Sequence, residues 1–235
     1  MTAAPPPASD PQPVGPPVDA TPARRPDAVM LTGRFGAVAR LDAARHGESL
    51  WEALRGHDRV WTYLFYGPFT DRVAFSAWLA ERETLADPFS YAVVDPSGRA
   101  LGIAALMSIR PDMRVIEVGN ILLAPTLQRS PLATEAQYLL ARHVFETLGY
   151  RRYEWKCDAL NAPSRRAALR FGFAFEGIFR SHMIVKGRNR DTAWFAMTDV
   201  DWPARRAAFE RWLDSGNFDA DGRQRVSLRE LNGAR

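Results

Sequence analysis

Apolar positions recur along this chain with two periods, and they meet in residues 118–148. VGNILL at 118–123 is a branched apolar run of the length of a buried strand. It stops at Ala124-Pro125, where proline removes a ladder donor. A short polar loop, Leu127 to Ser130, follows. Ser130-Pro131 has the residue types of a helix cap and first helical position. Thr134 and Gln137 offer a second start, as a capping box, one turn later. Ala136, Leu140, Val144 and Leu148 then fall at helical spacing, with Leu139, Ala141 and Phe145 alongside, so one face is core. A strand that breaks into a helix start turns backbone N–H groups toward an anion, which offers a phosphate site. The same residues read as an ordinary strand–helix connection, and on this stretch alone that reading is favoured.

The pattern continues on both sides. Residues 35–41 read as a strand and 42–55 as a helix with Leu50, Trp51 and Leu54 on its apolar side. The aromatic stretch 60–67, with Trp61, Tyr63, Phe65 and Tyr66, suits either a core or the wall of a small-molecule cleft. Thr70-Asp71 can cap a helix through Glu83 that carries Phe75, Trp78 and Leu79. Strands at 89–94, 99–109 and 113–123, joined by turns at 95–98 and 111–112, form an antiparallel meander. After Gly149, residues 151–158 alternate, with Tyr153, Trp155 and Cys157 on one side and Arg152, Glu154, Lys156 and Asp158 on the other. Cys157 therefore reads as a buried strand residue and not as a nucleophile. A helix spans 161–171, closed by Gly172. Strands at 173–185 and 191–199 flank a turn at 186–189, a helix spans 203–213, and the remainder is expected to fray.

Composition adds the limits. At 235 residues the chain suits one domain with tails. Nine of its 17 prolines fall in the first 27 residues, so residues 1–28 are expected to be a disordered tail. Residues 29–202 are expected to hold the folded domain, and 203–235 a C-terminal helix and tail. Net charge is +4 and almost all positive charge is arginine, spread too thinly for a nucleic-acid stripe. Cys157 is the only cysteine, which excludes an intrachain disulfide and a cysteine-based metal site. No apolar run has the length of a membrane span, and the N-terminus lacks a secretory pattern, so a cytoplasmic protein is expected.

Four stretches then resemble the GNAT N-acetyltransferase superfamily: VIEVGNIL (115–122), LQRSPLATEA (127–136), LGYRRYEWKCDALNAPSRRAALRFGF (148–173) and EGIFRSHMIVKGRNRDTAWFAM (176–197). The likeness is closest to the branch of ribosomal-protein N-terminal acetyltransferases and covers about residues 35–199. It implies an α/β fold, a single mixed, mostly antiparallel sheet flanked by helices, with an acetyl-CoA cleft between the fourth and fifth of these strands. It also implies transfer of acetyl from acetyl-CoA to a primary amine of a protein N-terminus or small molecule. Under it, Gln128, Arg129, Leu132, Ala133 and Thr134 hold the pyrophosphate, and the backbone near Leu122 and Leu123 meets the thioester. Asn161 bonds the pantetheine amides, and Arg165 and Arg166 either reach phosphate or form a solvated face. Glu117 is the first candidate base and Glu176 the second; both also fit strand carboxylates paired with arginines such as Arg114 or Arg180. Ser164 either donates to the departing thiolate or caps its helix, and His182 is either a base or structural. One departure stands out: Pro131 replaces the family's loop glycine, which removes a backbone donor but leaves Leu132 and Ala133 in the first turn. A silent acyl-CoA-binding module and a transferase of longer acyl groups are the alternative readings. A monomer or homodimer is expected, with no nucleic-acid, membrane or metal partner.

Overall fold

The computed structural model describes residues 12–233. Eight strands form one sheet in the order β1-β2-β3-β4-β5-β6-β8-β7. The strands are β1 (Met30–Thr32), β2 (Ala37–Arg40), β3 (Phe89–Val94), β4 (Ala100–Arg110), β5 (Val115–Leu123), β6 (Arg152–Asp158), β7 (Ala174–Val185) and β8 (Arg188–Thr198). The helices are α1 (Ala43–Leu54), α2 (Arg72–Thr84), α3 (Pro131–Arg142), α4 (Ala162–Arg170), α5 (Trp202–Leu213) and α6 (Leu228–Leu231). Only β5 and β6 pair in parallel; every other neighbour is antiparallel. The sheet is therefore mixed and mostly antiparallel, as the resemblance implies. The predicted fourth and fifth strands are β5 and β6, because the three-residue β1 precedes the predicted first strand.

Side-chain caps fix most of the helix starts. Asp42, Asp71 and Ser130 each accept an N–H from the first turn of the helix that follows. The start at Ser130 prevails over the capping box at Thr134. Alternation along the strands sends one set of side chains against α3, α4 and α5, with Ile116, Val118, Tyr153, Trp155 and Phe195 in that core. The opposite set packs under α1 and α2, with Ile103 and Leu122 beside Trp61, Phe75 and Trp78. Every residue of α3 from Leu132 to Ala141 is buried, and a π turn at His143–Thr147 continues it. The turn between β7 and β8 is the two residues Lys186 and Gly187, both at positive φ, tighter than the predicted four.

Both chain ends depart from expectation. Residues 1–11 of the expected disordered tail lie outside the described residues, but residues 19–27 dock. Ala23 N donates to the Pro111 carbonyl (3.1 Å), Arg24 N to the Leu148 carbonyl (2.8 Å), and the Tyr91 hydroxyl to the Asp27 carbonyl (3.2 Å). Low hydropathy does not prevent this, because backbone hydrogen bonds hold the segment while Ala23 packs on the core and Pro26 is buried. At the other end, Ser227 and Glu230 form a capping box and Leu228 is fully buried. That segment packs where fraying is expected.

Candidate active site

The sheet opens at one place. β5 and β6 pair only from Val115↔Arg152 to Val118↔Trp155, and beyond that both strands continue without each other. A bulge bends β5 there: Ala105 faces Gly119 but Ile103 already faces Leu122, and Asn120 takes φ of 49°. Backbone groups of β5 past Val118 therefore face a gap. The Ala124 N–H bonds the Leu101 carbonyl, so alternation turns the Leu122 N–H toward β4 and the Leu123 N–H and carbonyl toward the gap. The Leu123 carbonyl accepts the Gln128 side-chain amide at 3.0 Å, so Gln128 serves the strand end and does not reach into the loop after it.

An ionic cluster covers the α1/α2 face of the sheet just before the gap. Glu117 and Glu154 stand opposite each other on β5 and β6. Both are buried, and Lys156 Nζ lies 2.9 Å from each. Glu117 Oε2 also accepts the Ser108 hydroxyl at 3.0 Å, while its Oε1 has no hydrogen-bond partner among the described residues. Arg152 bridges Glu154 (2.8 Å) to Glu176 (2.5 Å). Burial pushes the Glu154 carboxyl up, but its bonds to Arg152 and Lys156 outweigh this and hold it below its ordinary value. Arg152 likewise lowers Glu176, against a smaller opposing effect of burial. The expected pairing with Arg114 or Arg180 is not the one formed; Arg114 bonds the Gly149 carbonyl and Asp19 instead.

Beyond the cluster the same face becomes an aromatic slot. Lys156 Nζ sits 4.0 Å from the centre of the Trp194 ring. Phe179 packs on Trp194 at 4.5 Å, and His182 Nδ1 lies 2.9 Å from the Thr192 hydroxyl. A wide bulge in β7 between Phe179 and Met183 aims His182 there. The α1–α2 connection roofs the slot: Lys186 Nζ donates to the Trp61 carbonyl (3.0 Å) and the Tyr63 hydroxyl to the Leu160 carbonyl (3.3 Å). The aromatic stretch thus divides between its two readings. Trp61 joins Tyr66, Phe69 and Trp78 in a core cluster, while Tyr63 and the exposed Phe65 reach the slot side.

On the α3/α4 side of the gap lies the helix start. Ala133 N donates to Ser130 Oγ at 3.1 Å, so it is not the open donor the sequence suggested. The backbone N–H groups of Leu132 and Arg129 keep no partner among the described residues, and Arg129 sits at φ of 61°. Arg170, which the sequence pattern does not single out, donates to Thr134 Oγ1 at 3.1 Å. Burial lowers its pKa, and it forms no ion pair among the described residues. Two open N–H groups, a helix N-terminus and an arginine without a counter-ion suit a pyrophosphate.

Two residues at the start of α4 complete the set. Asn161, not Ser164, is the cap: its Oδ1 accepts the Ser164 N–H at 3.1 Å, which leaves its amide donors open. Ser164 Oγ accepts the Trp155 indole N–H at 3.0 Å and lies against the Cys157 thiol, whose pKa is raised chiefly by burial. Arg165 bonds the Ala159 carbonyl at 3.2 Å and Arg166 is exposed.

Comparison with known proteins matches this arrangement. A family model described as an acetyltransferase (GNAT) domain matches residues 40–174. A GCN5-related N-acetyltransferase from Brucella melitensis is 46% identical, with 92% of this chain and 99% of that one covered and a TM-score of 0.89. A GNAT-family protein from Chromobacterium violaceum is 41% identical over 84% of this chain and 100% of that one, with a TM-score of 0.77. A ribosomal-protein α-N-acetyltransferase solved with coenzyme A shares the fold at 15% identity and a TM-score of 0.63, covering 72% and 98%. Among curated proteins no match is found. No helix among the described residues is long and apolar enough to cross a membrane. With its parted β5 and β6 and these relatives, the chain belongs to the GNAT family and is an acyl-CoA-dependent acetyltransferase.

Proposed function

We propose that the protein moves the acetyl group of acetyl-CoA to the α-amine of a peptide or protein N-terminus. The observation that carries this is Glu117, buried at the mouth of the gap with one carboxylate oxygen spent on Lys156 and Ser108 and the other open. Acetyl-CoA supplies an acetyl thioester. Leu132, Arg129 and Arg170 hold its phosphates, and Asn161 and the Leu123 backbone hold its amide arm. The acceptor lies in the slot roofed by Tyr63 and Phe65. Glu117 Oε1 takes the proton that the amine sheds. A backbone N–H of β5 near Leu122 that faces the gap meets the carbonyl oxygen where charge develops. The amine nitrogen bonds to the acetyl carbon as the carbon–sulfur bond breaks, the Ser164 hydroxyl donates a hydrogen bond to the departing thiolate, and solvent supplies the proton that makes it the free thiol. The acceptor's own acidity decides how much help it needs in losing a proton. An α-amine, with pKa about 8, sheds its proton more readily than a lysine side chain, at about 10, which favours the α-amine.

The test is free-thiol release from acetyl-CoA across N-terminal peptides, polyamines and amino sugars, with product mass recorded. Peptides should give the highest turnover, and the product should carry acetyl on its first nitrogen. Acetyl-CoA at 100 times its Kd should also stabilise the fold by about 2.7 kcal/mol. Stabilisation without thiol release from any amine would establish a silent binding module instead. An unchanged melting temperature at millimolar acetyl-CoA would remove the cofactor site.

Asn161 and Ser164 separate by measurement. Asn161→Ala should cost about 1 kcal/mol of stability as a lost cap and raise the acetyl-CoA KM. Ser164→Ala should lower kcat about tenfold, because charge on the sulfur exists only late in the reaction. A Ser164→Ala protein with unchanged kcat would limit Ser164 to supporting Trp155.

A further inference from the structure

Arg190 stands out on the slot floor. Alternation on β8 puts it on the same face as Thr192 and Trp194. It is only 8% exposed, yet its Nε has no hydrogen-bond partner and it forms no ion pair among the described residues. A guanidinium carries five donors, and burying one without an anion is unfavourable. Its neighbours do not satisfy it. The Phe65 ring lies 5.3 Å away, and the Asp191 carboxylate turns aside to the Ser181 N–H (2.7 Å) and the Asn189 amide (3.0 Å). The surrounding hairpin adds Arg180, Lys186 and Arg188, all exposed. The slot is thus finished at one end by Glu117 and at the other by an unmatched cation.

We infer that Arg190 determines acceptor specificity by taking a carboxylate of the acceptor, so that the enzyme selects acidic peptide N-termini. The inference rests on the N-terminal amine reading above. Spacing sets the kind of acceptor. Trp194, beside Lys156, and Arg190 are four residues apart, about 13 Å of strand. The long arginine stem shortens the gap, and an extended peptide crosses the rest in about three residues. A free amino acid, with its carboxylate on the carbon next to its amine, cannot span that distance. A planar fork of donors also favours a carboxylate held through both oxygens over a single carbonyl.

The experiment uses two C-terminally amidated tetrapeptides that differ only in glutamate or glutamine at the third residue. Thiol release is measured with each, for the wild type, Arg190→Met and Arg190→Lys. Equilibrium binding of the two N-acetylated peptides is measured alongside. The wild type should prefer the glutamate peptide about tenfold or more in kcat/KM, mainly through KM. Arg190→Met should bring that ratio to about one, and Arg190→Lys should keep part of it. Arg190→Met should melt no lower than wild type, since it removes an unmatched buried charge and keeps the stem. Absence of a preference in the wild type, or a preference that survives in Arg190→Met, overturns the inference. So does equal preference for free glutamate, which contradicts the spacing. If neither peptide releases thiol but the acetylated glutamate peptide binds in an Arg190-dependent way, the recognition stands and the transfer reading fails.

Discussion

Glu117→Gln should lower kcat by about 10² to 10⁴ at neutral pH and leave the acetyl-CoA KM nearly unchanged. Glutamine keeps the shape and an oxygen for Ser108 and Lys156, but it cannot take a proton from the amine. Lys156 retains Glu154 and the Trp194 ring, so the local packing has support after the change. The loss should shrink as pH rises past about 8, because the amine then arrives without its extra proton. Glu176→Gln is the control. That carboxylate is 41% exposed, lies across Arg152 from the gap, and should change kcat by less than about threefold. Steady-state kinetics from pH 6 to 9.5 decide between them. A Glu117→Gln enzyme within about twofold of wild type at pH 7 would show that solvent takes the proton.

Glu135→Ala should be the most destabilising single change outside the large hydrophobic side chains. Glu135 lies in the first turns of α3, is almost fully buried, and faces no arginine or lysine partner among the described residues. Its two oxygens accept the backbone N–H groups of Arg34 (2.6 Å) and Phe35 (2.7 Å), in the turn between β1 and β2. Alanine would leave two N–H groups unpaired and remove two charge-assisted bonds, a loss of about 3 kcal/mol or more. For a domain of this size that is a fall in melting temperature of about 10 °C. Gly33 shows how close the fit is: a Cβ there would lie 2.2 Å from the Glu135 carboxyl carbon. Glu135→Gln should fall between, with one oxygen kept. Thermal unfolding of the three proteins checks the order, and an Ala variant that melts with wild type would show that water satisfies the turn.

What the sequence disclosed and what it withheld divide by distance along the chain. The caps at Asp71 and Ser130 are local, and each is formed. The alternation of residues 151–158 placed Cys157 in the core and Lys156 opposite it correctly, because period two is a local property. The resemblance singled out Glu117 in the central strand, but not Lys156 as its partner, 39 residues on. Glu135 read as one letter of a loop motif, because the turn that it holds lies 101 residues earlier. Arg190 left a usable sign: it is the one arginine in an Arg-x-Thr-x-Trp alternation that otherwise faces a slot. The C-terminal segment also carried a sign, Ser227 with Glu230 three residues on, which marks a helix start.

The bulges of β7 have a consequence for the molecule in a crowded solution. β7 is an edge strand 12 residues long, and Phe175, Ile178, Phe179 and Ile184 on it are exposed. A flat edge of that length and composition is a template on which further chains can add, as in amyloid growth. Register shifts after Phe175 and after Phe179 interrupt it, and Ser181 at positive φ turns its N–H inward to Asp191. The irregularity that aims His182 into the slot therefore also denies a second chain an unbroken row of donors and acceptors. Protection of this edge and the placement of His182 against Trp194 and Thr192 are thus tied to the same few residues of the hairpin.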